Sequence, residues 1–147
     1  MNEFQPGDVV EIKTKTDLAY VQVTHRHASY PEVVRALPGL FQDRPDNLDD
    51  LAAQPSVFTA MIPLGGAIAR GALAGEKVAQ ADIPARDQIF PTFRMAIRDK
   101  HGDIAYWWFW DGDGLRYDEH PGGETEDYPL REVLTVSAFL GRLAAAN

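Results

Sequence analysis

The chain has 147 residues, no cysteine, and a formal charge of −8 from 22 acidic and 14 basic side chains. That length suits a core without disulfides or metal, so residues 1–147 are expected to form a single domain. The missing thiols exclude cysteine catalysis, disulfide frameworks and cysteine-held zinc, and the acidic balance disfavours nucleic acid, whose phosphates need clustered Lys and Arg. The run Met1-Asn2-Glu3-Phe4-Gln5-Pro6-Gly7 has neither the basic region nor the apolar stretch of a signal peptide, and no later run reaches ~18 apolar residues. A soluble, cytoplasmic protein without membrane association is the expectation.

Pro6-Gly7-Asp8 is a turn opening onto a strand over Val9–Lys13, and Thr16-Asp17 breaks it before a second strand over Leu18–Thr24. There Ala19, Val21 and Val23 alternate with Tyr20, Gln22 and Thr24, the pattern of a strand with one buried face. A third strand over Glu32–Leu37 stops at Pro38-Gly39, and such a meander is how small β-barrels begin. The polar, acidic stretch Phe41–Pro55 holds a short helix over Leu48–Ala53 with Asp46 or Asn47 as its cap. Val57–Ile62 reads as a buried strand ended by Pro63, Ala67–Arg70 as one helical turn before Gly71, and Lys77–Ala81 as a strand ending before Pro84. Thr92–Arg98 should pair with the aromatic run around the turn Lys100-His101-Gly102-Asp103, with Phe93, Met95 and Ile97 on one face. A C-terminal helix over Ser137–Ala144 groups Phe139, Leu140 and Leu143, with Ser137 as cap; upstream, either Pro129 begins a longer helix or Val133–Val136 is a strand. The whole is an α+β fold, β-rich, either an antiparallel meander or a small partly open barrel with a C-terminal helix.

All three tryptophans fall in Tyr106-Trp107-Trp108-Phe109-Trp110, directly before Asp111-Gly112-Asp113-Gly114. In a strand Trp107 and Phe109 share one face while Tyr106, Trp108 and Trp110 share the other. Each aromatic buries roughly 150–250 Å², so either both faces are sandwiched in the core or one is kept for a partner. The expectation carried forward is that Trp107 and Phe109 are buried and that Tyr106, Trp108 and Trp110 are partly accessible anchors. Between Asp103 and Asp127 stand eight acids against one base, Arg116. Of these, Asp111, Asp113, Asp118 and Glu119 are candidates for steering a basic protein partner, with plain solvated loops as the bland reading.

Catalytic motifs are weak. His25-Arg26-His27 puts two imidazoles on one strand face, the spacing by which a β-barrel mouth presents metal ligands, yet a site needs a third ligand and an open position. Asp111-Gly112-Asp113-Gly114 departs from a calcium loop, having Leu115 at position 5 and Gly122 at position 12, and reads as a hairpin turn. Leu64-Gly65-Gly66 and Pro121-Gly122-Gly123 lack the lysine of a phosphate loop, and Ser29, Ser56 and Ser137 sit on no nucleophile elbow. No catalytic, metal or cofactor residues are therefore assigned, and the chain is expected not to be an enzyme.

The order of elements resembles the immunity protein 26 family, small proteins that neutralise bacterial toxins. The likeness rests on Gly7-Asp8 with its apolar strand, Ala19-Tyr20-Val21, and the strand Val57-Phe58-Thr59-Ala60-Met61-Ile62 with a small-residue helix ending near Gly71. It continues through Lys77-Val78, Ile83-Pro84, and Phe90-Pro91-Thr92-Phe93-Arg94 before the aromatic strand, covering about residues 6–115. The Trp-rich strand and the acidic segment 111–127 depart from the family pattern. The resemblance implies a non-catalytic domain that binds a toxin, and the charge of this chain makes a toxin with a basic surface the expected partner. The alternative is a small-molecule or metal-binding β-barrel enzyme using His25 and His27 at the barrel mouth.

Overall fold

The computed structural model describes residues 4–27, 30–112, 114–118 and 134–145, with the backbone alone for 116–118. The chain divides into two compact units, Met1–Gln88 with Val133–Asn147, and Ile89–Glu132. Among the described residues no helix is long and apolar enough to cross a membrane.

The first unit is built on β1 (Asp8–Lys13), β2 (Leu18–His27), β3 (Tyr30–Ala36), β4 (Thr59–Ile62) and β5 (Gly75–Gln80). These strands form one antiparallel sheet in the order β4-β3-β2-β1-β5. The meander expected from the sequence runs from β1 to β4, and β5 then returns to the edge of β1. Because β4 and β5 lie at opposite ends, the sheet is open. Glycine opens β5 for a steric reason: a Cβ at Gly75 would lie 3.0 Å from the Glu11 carbonyl oxygen and 3.1 Å from the Ile12 and Ile68 methyls.

Three short helices and one longer one complete this unit. Helix α1 (Leu48–Ala52) is capped by Asn47, whose side-chain oxygen accepts from the Asp50 N–H at 3.0 Å. Helix α2 (Leu64–Ala69) begins three residues before the expected turn, and α3 (Ala85–Gln88), not foreseen, follows Pro84. Helix α4 (Val136–Ala145) is capped by Thr135 rather than Ser137, since the Thr135 hydroxyl accepts from the Ala138 N–H at 3.1 Å.

Both faces of the sheet are covered. On one, Val10, Ile12, Ala19, Val21, Val23, Val34, Ala36, Ala60 and Ile62 pack with Leu64 and Ala67 of α2 and Phe139 and Leu143 of α4. On the other, Val9, Tyr20 and Leu37 pack with Ala52 of α1 and with Phe41, Leu48, Leu51 and Val78. The polar set of β2, expected to face water, is therefore buried: Gln22 is fully covered, Tyr20 likewise, and Thr24 nearly so. Arg35 joins them from β3 at 0% exposure.

A charge placed there survives only if every donor is satisfied. The Arg35 guanidinium donates to Gln22 Oε1 at 2.8 Å, to the Gln54 carbonyl at 3.0 Å, to Ser56 Oγ at 3.3 Å and to the Ala52 carbonyl, and Asp87 of α3 lies 3.8 Å away. Gln22 in turn donates to the carbonyls of Ala81 at 2.9 Å and Gly7 at 3.3 Å. Burial pulls the guanidinium below its ordinary pKa, and Asp87 opposes that pull. Replacing Arg35 by Ala strands these acceptors in the interior and should cost about 3–5 kcal/mol. Thermal unfolding followed by circular dichroism checks this; an Arg35→Ala protein melting with the parent would show that the network contributes nothing.

Candidate functional site

Three places in the molecule gather chemistry-bearing side chains. The first is the histidine pair. The ring nitrogens of His25 lie 2.9 Å from Thr24 Oγ1 and 2.8 Å from the Gln88 carbonyl oxygen, while the His27 ring packs edge-on to Tyr30 with centroids 5.2 Å apart. Among the described residues no three His, Cys, Asp or Glu side chains converge as a metal site. An open groove of about 740 Å³ lies nearby in the same unit, lined by Pro6, Gly7, Asp49, Ala53, Gln80, Ala81, Asp82, Ile83 and Gln88. Neither histidine lines it, so the pair and the concavity do not combine into a site.

The second is a carboxylate cluster on the polar side of the large sheet. Glu11, nearly buried, accepts from the Tyr20 hydroxyl at 2.7 Å and from Arg44 Nε at 2.7 Å. The Arg44 hydrogen bond, helped by Tyr20 and by the charge of Lys13, outweighs burial and holds the Glu11 carboxyl below its usual 4.5. Burial and the adjacent Glu11 push the Tyr20 phenol well above its ordinary range, keeping it a donor. Arg44 also reaches Glu76 at 3.1 Å, but that pair is largely exposed and contributes little. Each group is consumed by its neighbours, which makes this a structural clamp between β1, β2 and the loop carrying Arg44.

The third is the second unit, where β6 (Phe93–Arg98), β7 (Ile104–Trp110) and β8 (Leu115–Asp118) form an antiparallel sheet in the order β6-β7-β8. Its two turns are held by aspartates. Asp99 Oδ1 accepts from the N–H groups of His101 at 2.8 Å and Asp103 at 3.1 Å, and Asp111 Oδ1 accepts from the Gly114 N–H at 2.9 Å. The expected hairpin turn after the aromatic run is thus formed. It needs glycine at position 112, where φ is +95° and a Cβ would meet the Phe90 ring at 2.8 Å.

Cross-strand register sorts the side chains of this sheet. Phe93 faces Trp110, Met95 faces Trp108, and Ile97 faces Tyr106; across β8, Leu115 faces Trp110 and Tyr117 faces Trp108. Directly opposed residues share a face, so these positions form one wholly uncharged side. The other side carries Arg94 opposite Phe109, Ala96 opposite Trp107, and Arg116 and Asp118 on β8. The Arg94 guanidinium lies 4.9 Å from the centroid of the Trp107 ring, a cation–π contact.

Burial does not follow the expected division by face. Phe109 is buried as expected, but Trp107 is only half-buried, and Trp110, assigned to the accessible set, is 6% exposed. The reason is position along the strand rather than face. Trp110 stacks on Phe93 at 5.8 Å and meets Phe90 edge-on at 5.3 Å, so the end of the strand next to the Asp111 turn is closed by an aromatic cluster. Tyr106 and Trp108 are half-buried like Trp107, with the Tyr106 and Trp108 ring centroids 6.2 Å apart. Asp111 is exposed in the turn that follows Trp110; Asp113 and Glu119 lie outside the described residues, as does the side chain of Asp118. Met95, Ile97 and Leu115 belong to the same face as the predicted anchors. The hairpin alternation already pairs Met95 with Ile97, but only the register joins them to Trp108.

No protein-family model matches the chain, and no curated protein and no solved structure does either.

Two measurements follow from this geometry. Because every tryptophan lies in the second unit, tryptophan emission reports that unit alone. Trp110→Ala should cost about 3–5 kcal/mol by emission-monitored unfolding, whereas Trp108→Ala should cost much less; equal losses would place Trp108 in the core. Glu11 obeys the sign for a depressed carboxyl: its contribution is full above the unfolded pKa and is lost as pH falls through the folded value. The melting temperature of Glu11→Gln should therefore lie below that of the parent at pH 7, and the gap should close as pH drops below about 4.5. A gap constant down to pH 3 would remove Glu11 ionisation from the account.

Proposed function

We propose that this chain is a non-catalytic protein-binding domain, and that it acts in the cytoplasm as an immunity protein capturing a toxin domain with a basic surface. The observation that carries the reading is where its large apolar side chains meet water. The exposed ones among the described residues are Ile89 at 77%, Ile104 at 43% and Leu115 at 57%, and all three belong to the aromatic unit. Scattered exposed leucines need no explanation, but Ile104 and Leu115 exposed on one small sheet beside half-buried Tyr and Trp, with Ile89 exposed in the segment leading to it, have the composition of an interface. The carboxylates of Asp103 and Asp111 flank that sheet, and the sequence adds Asp113, Asp118 and Glu119 to the same stretch. Opposite charge raises encounter rates, which an antidote to a fast toxin requires. Nucleic acid, membrane and cofactor have no part in this proposal.

The test is rescue. Co-expression with a toxin domain encoded beside this chain should restore growth, and the purified pair should associate in a salt-sensitive way. Converting Asp111, Asp113 and Asp118 to Asn and Glu119 to Gln together should slow association roughly 10-fold at low salt and much less at high salt. Rates indifferent to both the substitutions and the salt would reduce these acids to solubility groups, and the absence of any rescue would sink the immunity reading.

A further inference from the structure

The two faces of the small sheet are not equivalent toward a cationic partner, and this deepens the protein-binding reading, on which it rests. One face presents Phe93, Met95, Ile97, Tyr106, Trp108 and Trp110 with no charge among them. Its Phe93–Trp110 end is buried, while Met95, Ile97, Tyr106 and Trp108 are half-open and Leu115, in register with Trp110, is exposed. The opposite face carries the Arg94 guanidinium over the Trp107 ring, with the register positions of both Arg116 and Asp118 beside it. A basic surface approaching that second face meets the Arg94 guanidinium. On the first, the described residues are apolar and aromatic, with the Asp103 and Asp111 turns at either end of the strand.

We propose that the uncharged face, centred on Trp108 with Met95 and Tyr106 around it, is the docking surface, and that its occupant is a protein segment with an apolar centre and a Lys- or Arg-rich rim. A second copy of this chain is a poor occupant, because two molecules of charge −8 would bring like-charged rims together. Trp108 is the anchor: it is the largest half-open side chain on the face, and it is braced by the edge-on Tyr106 ring. Trp110 closes the end of the same face by packing on Phe90 and Phe93.

The experiment uses the full chain and a dye-labelled, alternating leucine–lysine peptide, followed by fluorescence anisotropy at low and high salt, with the leucine–glutamate peptide as counterpart. The lysine peptide should bind saturably and the glutamate peptide should not. Trp108→Ser should weaken binding about 10-fold or more and Trp107→Ser less than about 2-fold. Met95→Ser provides an independent reading of the same face should Trp108→Ser fail to fold. Equal losses from Trp107→Ser and Trp108→Ser, equal binding of the two peptides, or sedimentation of the protein alone as a dimer that Trp108→Ser splits would each overturn the proposal. Toxin rescue that persists in both Trp108→Ser and Met95→Ser would also overturn it while leaving the immunity reading intact.

Discussion

The first unit depends on one buried cation. A guanidinium at zero exposure is tolerated only when carbonyl, amide, hydroxyl and carboxylate oxygens replace its water, and Arg35 finds them on three separate pieces of chain. Gln22 brings β2, the carbonyls of Ala52 and Gln54 bring the end of α1 and the loop beyond it, Ser56 brings the approach to β4, and Asp87 brings α3. Because Gln22 spends its own amide on Gly7 and Ala81, the same network also fixes the start of β1 and the end of β5. Hydrogen bonds that are directional and costly to leave unmade choose one arrangement of irregular chain where apolar contact would accept several. The loops over this side of the sheet contain little regular structure, and the network supplies the order that helices supply on the other side.

The contrast between the two sheets follows from what covers them. The five-stranded sheet has an apolar layer from α2 and α4 on one face and a mixed layer on the other, and Glu11, Tyr20 and Arg44 repeat there the logic of Arg35: each polar group is used by another. The three-stranded sheet has aromatic rings where the larger one has helices. Phe90, Phe93 and Trp110 close one end by packing on each other, and the hydrophobic effect that would bury Tyr106 and Trp108 is left incomplete. An apolar surface left partly wet costs free energy in isolation and returns it on association.

Alternation and punctuation made most of the large sheet legible in the sequence. β1, β2, β3 and β5 stand close to where β-branched runs and Pro or Gly breaks place them, and Asn47 caps α1 because a short polar side chain before an acidic first turn has few other uses. The open sheet of an α+β fold with a C-terminal helix follows from the same local signals. Alternation could not tell that the polar residues of β2 are covered, since a strand reads the same whether its second face meets water or a loop recruited by Arg35. Nor could it find α3, whose four residues carry no period, or prefer Thr135 to Ser137, two equivalent caps two residues apart.

The candidate surface divides in the same way. By itself the sequence determined that one strand holds every tryptophan, that an acidic stretch follows it, and that Tyr106 and Trp108 point together, because a strand's period of two is a local property of the backbone. Only the tertiary structure decided that Trp110 leaves that set and that Met95, Ile97 and Leu115 join it. Burial depends on which rings arrive from elsewhere in the chain, here Phe90 and Phe93, and no periodicity within a strand records its neighbours.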